Sequence, residues 1–158
     1  DTGEYKGLMR FIFIVFAVLG LSVFTSIEAY AGDDPVYTSW RDNVAVGGYD
    51  AVSFFVGTPQ EGHAKFSTVH KGAEWYFQTE ANRDLFLANP SAFEPQYGGY
   101  CAWAAANGKL AKGSPKHWHV RDGNLYLNFN KRIQKKWNAD IPGFIKKADA
   151  NWPELLED

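Results

Sequence analysis

The sequence predicts an α+β fold, a single domain in which short helices pack on a small antiparallel sheet. Two observations carry this prediction. Strand-like segments flank the dipeptides Lys71-Gly72 and Asp122-Gly123, and glycine-containing pairs of this kind connect the strands of β-hairpins. A segment with helical spacing and a polar capping residue follows each hairpin. This order of elements favours helices gathered on one face of an antiparallel sheet.

The first predicted elements are a bend and a hairpin. Val44-Ala45-Val46 starts a short extended piece that Gly47-Gly48 interrupts. Residues 49–55 follow as a single turn of helix or a tight bend that ends in a strand. Residues 65–69 and 74–77 alternate as two strands with one buried face.

Two helices are expected between the hairpins. Thr79 is a suitable N-cap for the first helix, which brings Leu85 and Phe86 to the core before Asn89-Pro90 ends it. The alanine-rich run at residues 100–107 has strong helix propensity and predicts the second.

The C-terminal part is predicted to contain a second hairpin and two further helices. Residues 117–120 and 125–127 form the strands, and Asn130 can cap a helix at residues 131–138. A last helix is expected over residues 141–150. No internal repeat, low-complexity tract or linker is recognised.

An uncharged apolar run at residues 11–24 predicts export. Met9 and Arg10 precede the run and Ala29-Tyr30-Ala31 follows it, which together give the basic start, apolar core and small-residue cleavage site of a secretory signal peptide. Residues 1–31 are therefore interpreted as upstream sequence and signal peptide. The predicted location is the periplasm or the cell exterior, or the membrane if the segment is retained as an anchor, although its apolar core is short for a spanning helix.

The remaining residues are divided into a flexible lead at 32–43 and a domain at 44–155. The chain carries 16 basic and 18 acidic residues, a net charge of −2. Because this composition gives no overall basic field, nucleic acid is not expected as a partner. All six tryptophans lie beyond residue 31, which favours some aromatic surface that faces a ligand or partner.

Several motifs within residues 44–155 together point to one family. The motifs are Gly48-Tyr49-Asp50-Ala51-Val52-Ser53-Phe54-Phe55, Glu74-Trp75-Tyr76-Phe77, Asn82-Arg83-Asp84-Leu85-Phe86, Asn89-Pro90, Pro95-Gln96-Tyr97-Gly98-Gly99-Tyr100-Cys101-Ala102, Asp122-Gly123-Asn124-Leu125-Tyr126-Leu127-Asn128 and Trp137. In these motifs the chain resembles the YHS-domain family, in the longer form found in exported bacterial proteins. The resemblance implies a small α+β domain associated with heavy-metal handling, copper above all. The short form of the family looks like a cysteine-rich metal site, whereas this chain has Cys101 alone.

The candidate metal ligands are one cysteine, two histidines and one aspartate. Residues 32–158 contain no methionine, so a soft metal would use cysteine and imidazole ligands, which suit copper or zinc. His117 and His119 lie two residues apart on a predicted strand and project from one face. Cys101 and Asp50 complete the candidate set. The alternative for the two histidines is a position on the solvent face, with Trp118 directed to the core.

Cys101 and Asp50 each have a second interpretation. Cys101 starts a predicted helix, whose N-terminus would lower the thiol pKa and suit a metal ligand, a redox thiol or a disulfide with a partner. It could equally be a small packing residue, as free cysteines often are. Asp50 could instead cap the turn that follows it by accepting a hydrogen bond from the amide of Val52 or Ser53.

Three tyrosines beside glycine pairs suggest a pocket. Tyr49, Tyr97 and Tyr100 are predicted to line it together with Cys101, because adjacent glycines allow another backbone or a ligand to approach closely. The alternative is that these rings form an aromatic core under the sheet.

The sequence favours an exported, non-enzymatic domain that binds a transition metal, copper or zinc. The alternative is a protein-interaction module, or an accessory subunit of an envelope or membrane assembly, that binds no metal. A thiol or redox enzyme is the third hypothesis, although no phosphate loop, paired-carboxylate signature or zinc-protease motif occurs. The oligomeric state is left open.

Overall fold

The structure is a computed structural model that describes residues 33–157. This part of the chain contains four strands and four α-helices. In chain order they are β1 (His63–His70), β2 (Ala73–Phe77), α1 (Glu80–Ala88), α2 (Ala102–Ala106), β3 (Ser114–Arg121), β4 (Asn124–Asn128), α3 (Lys131–Trp137) and α4 (Ile141–Leu155). Short 3-10 segments lie at Val46–Gly48, Ala51–Val56, Pro90–Ala92 and Gln96–Gly99. The α+β class is confirmed, with the strands divided between two antiparallel pairs, β1-β2 and β3-β4. The signal peptide and anchor predictions lie outside the described residues.

Both hairpins turn at the dipeptides expected from the sequence. Lys71 and Gly72 have φ values of 50° and 79°, and Asp122 and Gly123 have values of 50° and 77°. Two consecutive residues with positive φ define the type I′ turn, whose twist matches that of the flanking strands. Each turn therefore sets the register of the residue pairs next to it, up to the irregularity near the start of β1 and of β3.

The helices after the hairpins begin at the predicted caps. Thr79 Oγ1 accepts a hydrogen bond from Asn82 N at 3.1 Å, and Asn130 Oδ1 accepts one from Ile133 N at 2.9 Å. Phe86 is fully buried, but Leu85 is 52% exposed, so the prediction that both face the core is wrong for Leu85. Successive helical residues point about 100° apart, and α1 presents only one narrow face to the core.

Residues 46–88 and 97–139 repeat the same backbone at a constant offset of 51 positions. Val46–Gly48 has φ values of 55°, 58° and 83°, and Tyr97–Gly99 has values of 55°, 60° and 85°. Each of these left-handed turns is followed by a helical turn, a hairpin and a capped helix. The expectation that the chain contains no internal repeat is therefore wrong.

Hydrogen bonds repeat at the same offset. Asp50 N donates to Gln60 O at 2.8 Å, and Cys101 N donates to Ala111 O at 2.8 Å. Both hairpins also carry an irregularity at equivalent positions, near the start of β1 and of β3. Only ten of the 43 aligned residue pairs are identical, and five of these are glycines. The repeat is thus retained in the backbone far more than in the side chains.

The two halves enclose two hydrophobic cores that share strand β4. Trp75, Phe77 and Phe86 belong to the first core, which Leu125 and Leu127 of β4 complete from the other half. The intervening Tyr126 of β4 faces the second core with Tyr97, Ala102, Trp137, Ile141 and Ala148. Helix α4 covers this second core, because no third hairpin follows in the described chain to take that place.

Part of the segment before residue 44, which its composition predicts to be a flexible lead, packs on the domain at residues 36–39, whereas residues 40–43 are exposed. Val36 is 2% exposed and belongs to the first core. The Tyr37 ring lies 5.4 Å from the Tyr100 ring, and Tyr37 N donates to Gly98 O at 2.9 Å. Within residues 33–157, no helix has the length and apolarity needed to cross a bilayer.

Candidate functional site

Asp50 is a fully buried carboxylate that holds three elements of the first half together. Its Oδ1 accepts from Val52 N at 2.9 Å, and its Oδ2 accepts from Gln78 N at 2.9 Å and from Asn82 Nδ2 at 2.7 Å. These donors belong to the 3-10 turn, the end of β2 and helix α1. The interpretation of Asp50 as a cap is confirmed, and both of its oxygens are occupied by donors of this chain.

Cys101 takes the position of Asp50 in the second half. It is 1% exposed, and its Sγ lies 3.6 Å from Asn128 Oδ1. The backbone N–H groups of Trp103, Ala104 and Phe129 are directed at the thiol. Trp103 and Phe129 are the counterparts of Val52 and Gln78, whose amides bind the Asp50 carboxylate, so the same backbone donors surround a sulfur atom here.

Burial raises the pKa of the Cys101 thiol, and the three backbone N–H groups lower it by a smaller amount. The prediction of a lowered thiol pKa is therefore wrong. Helix α2 has only five residues, and desolvation of the thiolate outweighs the field of so short a helix.

Asn128 is the polar neighbour of Cys101 and is itself fully buried. Its Oδ1 also accepts a hydrogen bond from Trp103 N at 3.2 Å, the bond that Asp50 Oδ1 makes in the first half. Its Nδ2 has no hydrogen-bond partner among the described residues. The equivalent residue of the first half is Phe77, so the Asn128 amide has no counterpart at that position.

A cavity of about 320 Å³ opens beside Cys101. Its wall consists of Cys101, Trp103, Ala104, Asn107, Lys109, Leu110, Ala111, Phe129, Arg132 and Ile133. The first half contains a cavity of about 150 Å³ lined by Val52, Ser53, Val56, Thr58, Gln60, Gln78 and Asn82. Each of these seven residues has its counterpart in the wall of the larger cavity. In the larger cavity Ala104 stands in place of Ser53 and has the smaller side chain. Ile133 stands in place of Asn82 and has the more apolar side chain.

Four cations surround this cavity. Lys109 and Arg132 form part of its wall. Lys112 Nζ lies 5.3 Å from the centre of the Phe129 ring, and Lys136 Nζ lies 5.0 Å from the centre of the Trp103 ring. The wall contains no carboxylate, and none of the four cations forms an ion pair with another described residue. The cavity thus combines an apolar interior with an uncompensated basic rim.

The predicted metal ligands do not come together as a set. Asp50 and Cys101 lie at equivalent places in different halves, and each is enclosed by its own half. His117 and His119 are half-buried on β3, on the strand face opposite Trp118, whose ring packs 5.7 Å from that of Phe54. Among residues 33–157, no group of three or more His, Cys, Asp and Glu side chains is arranged to hold a metal ion. The copper or zinc prediction therefore has no complete ligand set in this part of the chain.

The predicted tyrosine pocket is also divided. Tyr97 lines a cavity of about 360 Å³ beside Trp152, and its hydroxyl donates to Asp149 Oδ1 at 2.8 Å. The Tyr100 hydroxyl donates to Asp34 O at 2.9 Å. Tyr97 and Cys101 thus line different cavities, because the left-handed turn at residues 97–99 directs Tyr97 towards α4.

Comparison with known protein families, with characterised proteins and with solved structures gave no match to this chain. The resemblance to the YHS-domain family therefore stays a prediction. The sequence reasoning singled out Cys101 but missed its cavity and the rim of cations. The recurrence of Gly-Gly-Tyr-x-Ala at residues 47–51 and 98–102 was the signal that could have revealed the equivalence of Asp50 and Cys101.

Proposed function

We propose that this chain is an exported, non-enzymatic YHS-like domain that binds a small ligand in the cavity beside Cys101. One observation carries the proposal. The repeat provides the same site twice. The copy in the first half, where Asn82 donates to Asp50, leaves about 150 Å³ open, whereas the copy in the second half leaves about 320 Å³ open. Cavities of this size with a mostly apolar wall and a few polar groups are typical of small-molecule sites.

The chemistry of the wall supports binding rather than catalysis. A nucleophilic thiol needs an adjacent base and a lowered pKa. The polar neighbour of Cys101 is the amide of Asn128, and burial raises the pKa of the thiol. None of the ten residues of the wall is a histidine or a carboxylate that could act as the base.

A metal-handling role would use Cys101 as the soft ligand of this wall, and the other ligands would come from another molecule. The alternative of an interaction module requires a contiguous exposed apolar patch. Trp40 and Val56 are 88% and 77% exposed and are the side chains that such a patch would use.

The proposal is tested by titrating the neutral apolar dye N-phenyl-1-naphthylamine into the protein and following its fluorescence. We expect one site per chain, lost in Ala111→Phe, which fills the cavity wall. The matched control is Gln60→Phe, at the equivalent position of the first half, which should bind as the wild type does. Dye binding should also slow the reaction of Cys101 with N-ethylmaleimide. Equal binding by wild type and Ala111→Phe, with no protection of the thiol, would overturn the proposal.

The metal alternative is separated by mass spectrometry of protein purified without chelator or affinity tag. About one copper or zinc ion per chain, lost in Cys101→Ala, would favour the metal role. Protein that takes up neither Cu(I) nor Zn(II) after loading would leave the small-ligand site as the better account.

A further inference from the structure

We propose that the ligand of the Cys101 cavity is a small amphiphile with one anionic group and an apolar body, of the type of a medium-chain carboxylate. This inference rests on the proposed function, because it names the class of molecule that the cavity takes. It follows from the charges at the rim of the cavity and from the apolar side chains of its wall.

The charges around the cavity favour the same class of ligand. Lys109 and Arg132 lie in the wall, and Lys112 and Lys136 lie over the rings of two other wall residues. Residues 101–148 contain ten lysines and arginines but only two acidic residues. An uncompensated positive rim raises the local concentration of anions and accelerates their association.

The wall of the cavity favours a ligand with an apolar body. Cys101 and Ala104 in its wall are 1% and 7% exposed, so a ligand that reaches them must leave bulk water. Trp103, Phe129 and Ile133 would contact its apolar body. The cations would remain near the entrance, which places the carboxylate of a chain-like ligand at one end and its methyl groups at the other.

The experiment measures binding of a series of straight-chain carboxylates and of the matching neutral alcohols by isothermal titration calorimetry. Affinity should rise about fourfold with each added methylene group until the cavity is filled, the increment expected for burying one CH₂. Octanoate should bind about two- to fivefold more tightly than 1-octanol, since exposed ion pairs contribute modestly. The variant Lys109→Gln/Arg132→Gln should remove this preference, whereas Lys146→Gln/Lys147→Gln on α4 should keep it.

Three other outcomes would contradict the inference. Equal affinity for octanoate and 1-octanol would overturn the anionic ligand and leave the proposed cavity function intact. Binding of neither, with no dye binding, would overturn both. Binding to phosphatidylglycerol vesicles without binding to octanoate would overturn the inference in favour of a lipid surface, and phosphatidylcholine vesicles control for charge.

Discussion

Replacement of Asp50 by alanine should be among the most damaging single changes in the protein. The substitution removes the acceptor of three hydrogen bonds, at 2.9, 2.9 and 2.7 Å, and leaves the amide of Val52 buried without a partner. Hydrogen bonds to a charged group contribute about 1.5–3 kcal/mol each. The bonds from Gln78 and Asn82 are partly accessible to water, and the three losses are not additive, so we expect about 3–5 kcal/mol of the free energy of unfolding to be lost.

The measurement is urea unfolding followed by tryptophan fluorescence, with the free energy of unfolding extrapolated to water. The matched control is Asp140→Ala. Asp140 caps α4 through one exposed bond, from Gly143 N at 3.1 Å, so its loss should cost only about 1 kcal/mol. Asp50→Asn should be intermediate, because the amide keeps one acceptor but turns a donor towards two others.

Two results would refute this reasoning. One is a loss for Asp50→Ala no larger than that for Asp140→Ala. The other is a loss that disappears when the wild type is first treated with a chelator, because Asp50 would then act through a bound metal. The first would mean that the three elements are held together by packing alone.

Further predictions concern the second half and its ionisable groups. Gly113→Ala should destabilise the fold by about 2 kcal/mol or more in thermal unfolding, because the new Cβ would overlap the carbonyl oxygen of Gly99, whereas a Cβ at Gly123 meets nothing and its cost is conformational alone. Alkylation of Cys101 should be slow at pH 7 and still rising above pH 9, since its pKa is raised; a rate that levels off below pH 8 would contradict this. Burial, together with the nearby carboxylates of Asp33 and Asp34, raises the pKa of Tyr100 from 10.0 to about 12, so its contribution to stability should be present below pH 10 and be lost as the pH rises through 12, as monitored by unfolding and by phenolate absorbance.

Sequence patterns that act over a few residues predicted the elements of this fold well. Features that depend on contacts between distant parts of the chain were not predicted. The turn at Asp122-Gly123 and the caps at Thr79 and Asn130 act within a few residues of the chain, so their sequence patterns were sufficient. The cavity could not be predicted, because its wall joins α2 to Phe129 and Ile133, which follow about 25 residues later. The resulting burial also reversed the expected direction of the Cys101 pKa shift.

The repeat was missed for a related reason. Four of its positive-φ positions are filled by glycine in both halves, but its core positions differ, as between Phe86 and Trp137 and between Trp75 and Tyr126. Side chains that repack against different neighbours lose their resemblance while the backbone keeps its course. The metal hypothesis drew on Asp50 and Cys101 as two members of one site, whereas they are the same position in two copies.

A backbone repeated at a constant offset places two equivalent positions in one chain. One copy has about 43 residues, a length at which a chain rarely supports a core of its own, and Leu125 and Leu127 of the second copy complete the core of the first. Because both copies belong to one chain, they need not be identical. The first carries Asp50 as an internal anchor, so the second can carry Cys101 at the same position while the anchor of the fold is kept.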